Sequence, residues 1–211
     1  MSLLVTCPVG AQIGDVIIDN CPSNVGQIQK LFFQRVYSSG SILNAITVAN
    51  APIEGTWTPL FAASDGTKMQ QSPFISAPEN ELGAAITYGG GNDTKNGELI
   101  TMGYESSKFT CKLLSAHAKT AESLKSLVGE TMGVYFVNEH SRIWGDSDDA
   151  TTPTEYYPIE ITDFTVSDRK LGGRLEPDYY EVSFNLPPNW ANKLNEIIPV
   201  AFDPLTAFSN S

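Results

Sequence analysis

The sequence predicts a mainly β chain with one short helix, and three observations carry that prediction. Apolar residues recur with period two more often than with period 3.6. Glycine and proline number 17 and 13 in 211 residues, and they cluster between short apolar runs as turn residues do. One stretch alone, residues 118–128, carries a helical stripe. The length suits one domain, because single β-sandwich and barrel domains commonly run to roughly 200–250 residues. No internal repeat, low-complexity tract or second boundary divides residues 1–211.

Taken in order, residues 13–18 form a short apolar stretch closed by the turn cluster Asp19-Asn20-Cys21-Pro22-Ser23-Asn24. Residues 27–37 (QIQKLFFQRVY) read as a strand of aromatic and β-branched residues beside amphipathic Lys30 and Arg35. Residues 42–49 read as a second strand or a short helix. Residues 50–81 are irregular, with Pro52, Gly55, Pro59, Gly66, Pro73 and Pro78 between Trp57, Leu60, Phe61 and Phe74. A long structureless loop is uncommon in a compact domain, so this stretch reads as an ordered excursion, packed on its own core or on a neighbouring subunit.

Residues 84–88 and 98–104 flank a glycine-dense turn and read as a hairpin. A strand follows at 107–114. In the helix, Ala121, Leu124, Leu127 and Val128 share one face, and Gly129 supplies the residue that ends it. Residues 132–137 then form a strand, 138–141 its turn, and Arg142-Ile143-Trp144 the next run. Ile159 and Ile161 alternate with polar residues, and Phe164 and Val166 continue on the shifted phase. A slip at Thr162-Asp163 therefore predicts a β-bulge. Tyr180, Val182, Phe184 and Leu186 alternate without a break, so 159–186 is a long hairpin with its tip at 170–177. Pro187-Pro188 stops the strand, and Pro188 opens a short helix carrying Trp190 and Leu194.

Composition excludes several functions. Hydrophobic residues at 41% supply a core, and charged residues at only 18% leave a largely neutral polar surface. With 13 Lys and Arg against 24 Asp and Glu, the net charge is −11, which opposes specific binding to a phosphate backbone. No apolar run has membrane length, so no membrane partner is expected. Residues 1–10 lack the basic and apolar regions of a secretory signal. Three cysteines, Cys7, Cys21 and Cys111, match no zinc spacing. Cys111 lies in an alternating run as a small buried hydrophobe would. Cys7 and Cys21 border turns, so a disulfide between them stays open beside the reduced form that the missing signal favours.

The chemical motifs are read against their simpler alternatives. The segment 89–97 lacks the GxxxxGK[ST] pattern of a phosphate loop, since Asn96 follows Lys95, and a hairpin turn explains it. Asp146-Ser147-Asp148-Asp149 starts like a calcium loop, but Ala150 and Thr151 stand where such a loop needs an oxygen ligand and a glycine. From 139 to 163 seven acidic residues face one basic residue, Arg142, which reads as a solvated acidic loop. Histidines occur only at 117 and 140, in neither HExxH nor HxxxH spacing, and no GxSxG elbow is present. His117 reads as a helix cap. The expectation is a protein without enzymatic activity, cofactor or metal. Its functional material is aromatic, and aromatic side chains are enriched at stable interfaces.

The element order over residues 107–186 (strand, helix 118–128, strand 132–137, loop, hairpin 159–186) resembles structural proteins of tailed bacterial viruses, most closely the tail-tube (major tail protein) family. That resemblance implies an antiparallel β-sandwich or partial barrel with a long C-terminal hairpin, flanked by the helix. It implies a homo-oligomer in the virion, assembled in the host cytoplasm as hexameric rings stacked into a tube with other virion proteins. DNA would pass through the acidic lumen as cargo, held off by like charge. Oligomer contacts are then expected at Trp57, Phe61, Tyr156 and Tyr179 and at the hairpin tip, Lys170, Leu171, Gly172, Gly173, Arg174 and Leu175. Other readings are a head decoration or connector protein and a carbohydrate-binding β-sandwich presenting Trp57 or Trp144. A hydrolase, gathering His117 or His140 with Ser and Asp, is a further one.

Overall fold

The computed structural model describes residues 25–208; the apolar stretch 13–18, its turn cluster and the pairing of Cys7 with Cys21 lie outside them. Strand β1 (Ile28–Arg35) leads into a small hairpin, β2 (Tyr37–Ser39) and β3 (Ile42–Leu43), and then β4 (Ile46–Thr47). Helix α1 (Glu54–Ala62) precedes β5 (Met69–Gln71) and β6 (Ser76–Glu81). A hairpin of β7 (Ala85–Gly89) and β8 (Leu99–Tyr104) is followed by β9 (Ser107–Leu114) and helix α2 (Ala118–Lys125). Then come β10 (Met132–Asn138), β11 (Ile143–Ser147), β12 (Glu155–Tyr157), β13 (Ile159–Val166), β14 (Tyr179–Leu186) and β15 (Asn195–Ile197). The fold is mainly β, an antiparallel sheet curled into a partial barrel, with two helices among the described residues.

Strands β1 and β10 lie at its centre and pair along their lengths. Successive side chains of a strand point to opposite faces, and here both faces are covered. Leu31 and Phe33 join Val134 and Phe136 in one core, while Phe32 joins Tyr135 and Val137 in another. The unbroken apolar run Leu31-Phe32-Phe33 is the sequence form of a strand buried on both sides. At the far edge of β10 the sheet forks. Met132–Val134 pairs with β13 and Phe136–Val137 with β11.

One branch continues β13, β14, β9, β6. It returns towards β1, because β5 pairs with β1 and the Ile75 N–H donates to the Gln29 carbonyl at 2.9 Å. The first core fills this curl, with Phe109 and Phe184 stacked at 4.9 Å and Phe33 edge-on to Phe164 at 5.2 Å. Helix α2 contributes Ala121 and Leu124. Side chains of this size stabilise by about 1.5–3 kcal/mol each when fully buried, so the curl is the main cohesive unit. The second core lies under α1 and the C-terminal segment. There Lys30 Nζ donates to the Leu205 carbonyl at 2.6 Å and to Gln71 Oε1 at 3.1 Å. Burial lowers the Lys30 pKa, opposed by the nearby Asp203 carboxylate.

The hairpin β13–β14 has the expected bulge: the register slips between Thr162 and Thr165, and Asp163 takes φ +52°. Cys111 is buried, and α2 is followed by Gly129 at φ +89°. Three expectations need correction, and one strand was not anticipated. The excursion 50–81 is not irregular: it holds α1, β5 and β6. Gly55 and Pro59 oppose a helix there, but Trp57 anchors α1 in the second core and tertiary burial overrides propensity. Regular α-helix ends at Lys125, and Val128 is 50% exposed, outside the buried face. Residues 188–193 form turns instead of a helix, with Asn189 at φ +65°. The short strand β15, paired with β11, has no period long enough to read.

Candidate functional site

The residues assigned to oligomer contacts separate into two groups. Trp57 and Tyr156 are not at the surface. Trp57 is 0% exposed, its Nε1–H donates to the Ala51 carbonyl at 2.8 Å, and its ring meets Tyr135 edge-on at 5.4 Å. Tyr156 lies in the same core. Both are held by their own chain, as an indole or phenol ring with such neighbours must be to bury its area. Phe61 is half-buried and stacks on Phe208 at 4.5 Å. Trp144, the other candidate for a carbohydrate face, is also buried.

The remaining seven converge at the end of β13–β14. Lys170 and Tyr179 exchange backbone hydrogen bonds of 2.9 and 3.1 Å. Lys170 Nζ donates to the Tyr179 hydroxyl at 3.0 Å, which raises the Lys170 pKa. The Tyr179 ring carries two cations, Lys112 Nζ at 4.7 Å and Lys170 Nζ at 5.1 Å from its centroid. Beyond this bridge the chain turns through Gly172, where a Cβ would stand 2.2 Å from the Glu176 carbonyl oxygen. Leu171 and Leu175 project with 78% and 94% exposure.

A second surface was not assigned to contacts from the sequence. Hairpin β7–β8 forms a separate two-stranded sheet. Tyr88 stands opposite Ile100, and Ile86 precedes Tyr88 by two positions along its strand, so the three share a face. Met102 is the extra residue at a register slip between the pairs Ile86–Gly103 and Thr87–Thr101. Ile86, Tyr88, Leu99, Ile100, Met102 and Tyr104 are all about half exposed or more. Neither strand contains a charged residue. The glycine segment joining them is a turn, with Gly89, Gly90, Gly91 and Gly97 all at positive φ. The composition of these strands was a signal that was available, since alternation without charge fits a covered strand. What the sequence could not show is that no third strand lies beside them among the described residues.

The other motifs resolve locally. His117 Nδ1 accepts the Lys119 N–H at 3.2 Å and caps α2. Asp148 accepts from the Thr154 and Glu155 N–H groups, and Asp149 from those of Thr151 and Thr152. These bonds, with the Thr154 hydroxyl foremost for Asp148, hold both carboxyls below the usual range. Among the described residues no group of three or more His, Cys, Asp or Glu is placed to hold a metal, and no helix is long and apolar enough to cross a membrane.

No family model matches the chain, and no curated protein matches it. Among solved structures, it is similar to a chain in the tail of an empty GTA (gene transfer agent) particle with C6 symmetry. That likeness has a TM-score of 0.36 and 14% identity, covering 61% of this chain and 85% of that one. A chain in the virion of a native gene transfer agent particle gives 0.35 and 13%, covering 61% and 88%. Both overlaps are too slight to carry a function.

Proposed function

We propose that this chain is a structural subunit that assembles with copies of itself through hairpin β7–β8, and that the assembly is a virion tail tube of stacked rings. One observation carries the self-assembly: six large apolar side chains stand exposed on a hairpin whose two strands carry no charge and whose outer edges pair with no other strand among the described residues. Proteins that function alone blunt such edges with charge, proline or a covering element. Covering these side chains stabilises an assembly by about 1–2 kcal/mol apiece, and two free edges offer backbone hydrogen bonds as well. The tail-tube part of the reading rests on the element order over 107–186. The net charge of −11 suits a lumen through which DNA slides without adhering. DNA is then cargo, and no cofactor takes part.

The test is size against concentration. Light scattering and negative-stain microscopy should show rings, then tubes, as the protein is concentrated. Tyr88→Lys combined with Ile100→Lys should stay monomeric while keeping the wild-type thermal midpoint, because both side chains are exposed in the monomer. A wild-type chain that stays monomeric at every concentration would overturn self-assembly. Single closed rings that never stack would reject the tube and favour a connector.

A further inference from the structure

We infer that the 167–178 loop of one copy docks into a groove beside the β13 bulge of a second copy; the inference rests on the self-assembly reading. The loop ends in a knob of mixed chemistry. Leu171 and Leu175 are its exposed apolar points; Lys170 and Arg174 adjoin them along the chain, Lys112 reaches the same Tyr179 ring as Lys170, and Glu176 and Glu181 are the acidic neighbours of Lys170. None of these three cations forms a salt bridge among the described residues, although the chain is strongly acidic. Two are held in place over the Tyr179 ring, so their charge is presented in a fixed position.

The groove has the opposite character. It encloses about 510 Å³ between the turn after α2 and strand β13. Ile161 and Phe164 are buried beneath it, and Val128 stands half exposed at its wall. Glu160 and Asp163 line it, with no lysine or arginine, and Glu130, also in the lining, is already paired with Arg35 at 2.8 Å. The bulge makes the opening: Thr162 and Asp163 are consecutive exposed residues where the ladder to β14 slips. An apolar floor with carboxylates above it suits leucines flanked by cations, and charge complementarity of this kind selects partner and register.

The occupant is a second copy and not the same chain. The Lys170–Tyr179 bridge extends the hairpin in line with β13 and β14, so the knob projects beyond the groove that lies on its own strand. Knob and groove are different patches, which makes the contact heterologous. Each copy keeps one of each free, and such contacts close into rings or run on as filaments.

Charge reversal tests this directly. Lys170→Glu with Arg174→Glu reverses the knob, and Glu160→Lys with Val128→Lys reverses the groove; all four positions are exposed. Each variant alone should need about a hundredfold more protein to assemble at low salt, with an unchanged thermal midpoint. An equal mixture of the two should assemble near the wild-type threshold, because every knob then meets an opposite groove in the other variant. Variants that assemble like wild type, or a folded mixture that does not recover, would overturn this docking while leaving hairpin-driven assembly standing. A wild-type chain that is always monomeric would overturn both.

Discussion

Replacing Trp57 with alanine separates a core role from a contact role. The indole is fully buried, packed at 5.4 Å against Tyr135 and 6.2 Å from Phe32, and its N–H satisfies the Ala51 carbonyl. Truncating a buried tryptophan costs about 3–5 kcal/mol through lost transfer energy and the cavity left behind. The orphaned carbonyl adds about 1–3 kcal/mol unless water enters to bond it. Taking about 4 kcal/mol and a denaturant slope near 2 kcal/mol per molar for a chain of this size, the urea midpoint should fall by about 2 M. Trp57→Phe keeps most of the ring, so the shift should be less than half of that. The assay is equilibrium unfolding below the assembly threshold, followed by tyrosine fluorescence and circular dichroism. A midpoint within about 0.3 M of wild type, combined with lost assembly, would refute the reasoning and return Trp57 to an interface.

Two further predictions follow from buried and loop-bound groups. Burial pushes the Cys111 thiol up to about 12, so at pH 8 it should resist alkylation in the native protein and react once denaturant is added, as peptide mass mapping would show. Rapid native labelling at Cys111 would mean that the β9–β14 ladder opens readily. Asp148 has its folded-state pKa lowered, so its contribution to loop order is fully present above the ordinary aspartate pKa near 3.8 and is lost as pH falls towards the folded value. Protection of residues 148–155 from an acid-stable protease should therefore hold from pH 7 to about 5 and decline below about 4. Asp148→Ala should remove that protection at every pH, and equal cleavage of variant and wild type would contradict the assignment.

Legibility followed burial. The hairpin 159–186 could be read residue by residue because one of its faces is core, and even the bulge showed as a phase shift between Ile161 and Phe164. Strands β1 and β10 were visible for the opposite reason, since continuous apolar runs mark burial on two faces. Helix α1 was hidden because Gly55 and Pro59 are local breakers, and the force that offsets them, burial of Trp57, comes from residues distant in sequence. The same non-local cause moved Trp57 and Tyr156 from expected surface to core. Aromatic identity signals a large area to be covered; only the fold decides whether the cover is this chain or another.

Hairpin β7–β8 shows where that ambiguity becomes informative. Ile86-Thr87-Tyr88 alternates as Val182-Ser183-Phe184 does, so the pattern alone assigns both to half-buried strands. For Val182 and Phe184 the cover is the first core, and β14 has β13 and β9 on its two sides. For Ile86 and Tyr88 the described chain supplies only β8. An isolated two-stranded hairpin is marginal in water, and the absence of charge in both strands removes the usual protection against edge pairing. On the proposed self-assembly, a strand pattern that specifies cover, left uncovered by the described residues, is completed by a second copy. The proposed assembly would bring the local pattern of 85–104 and the fold of the described residues into agreement.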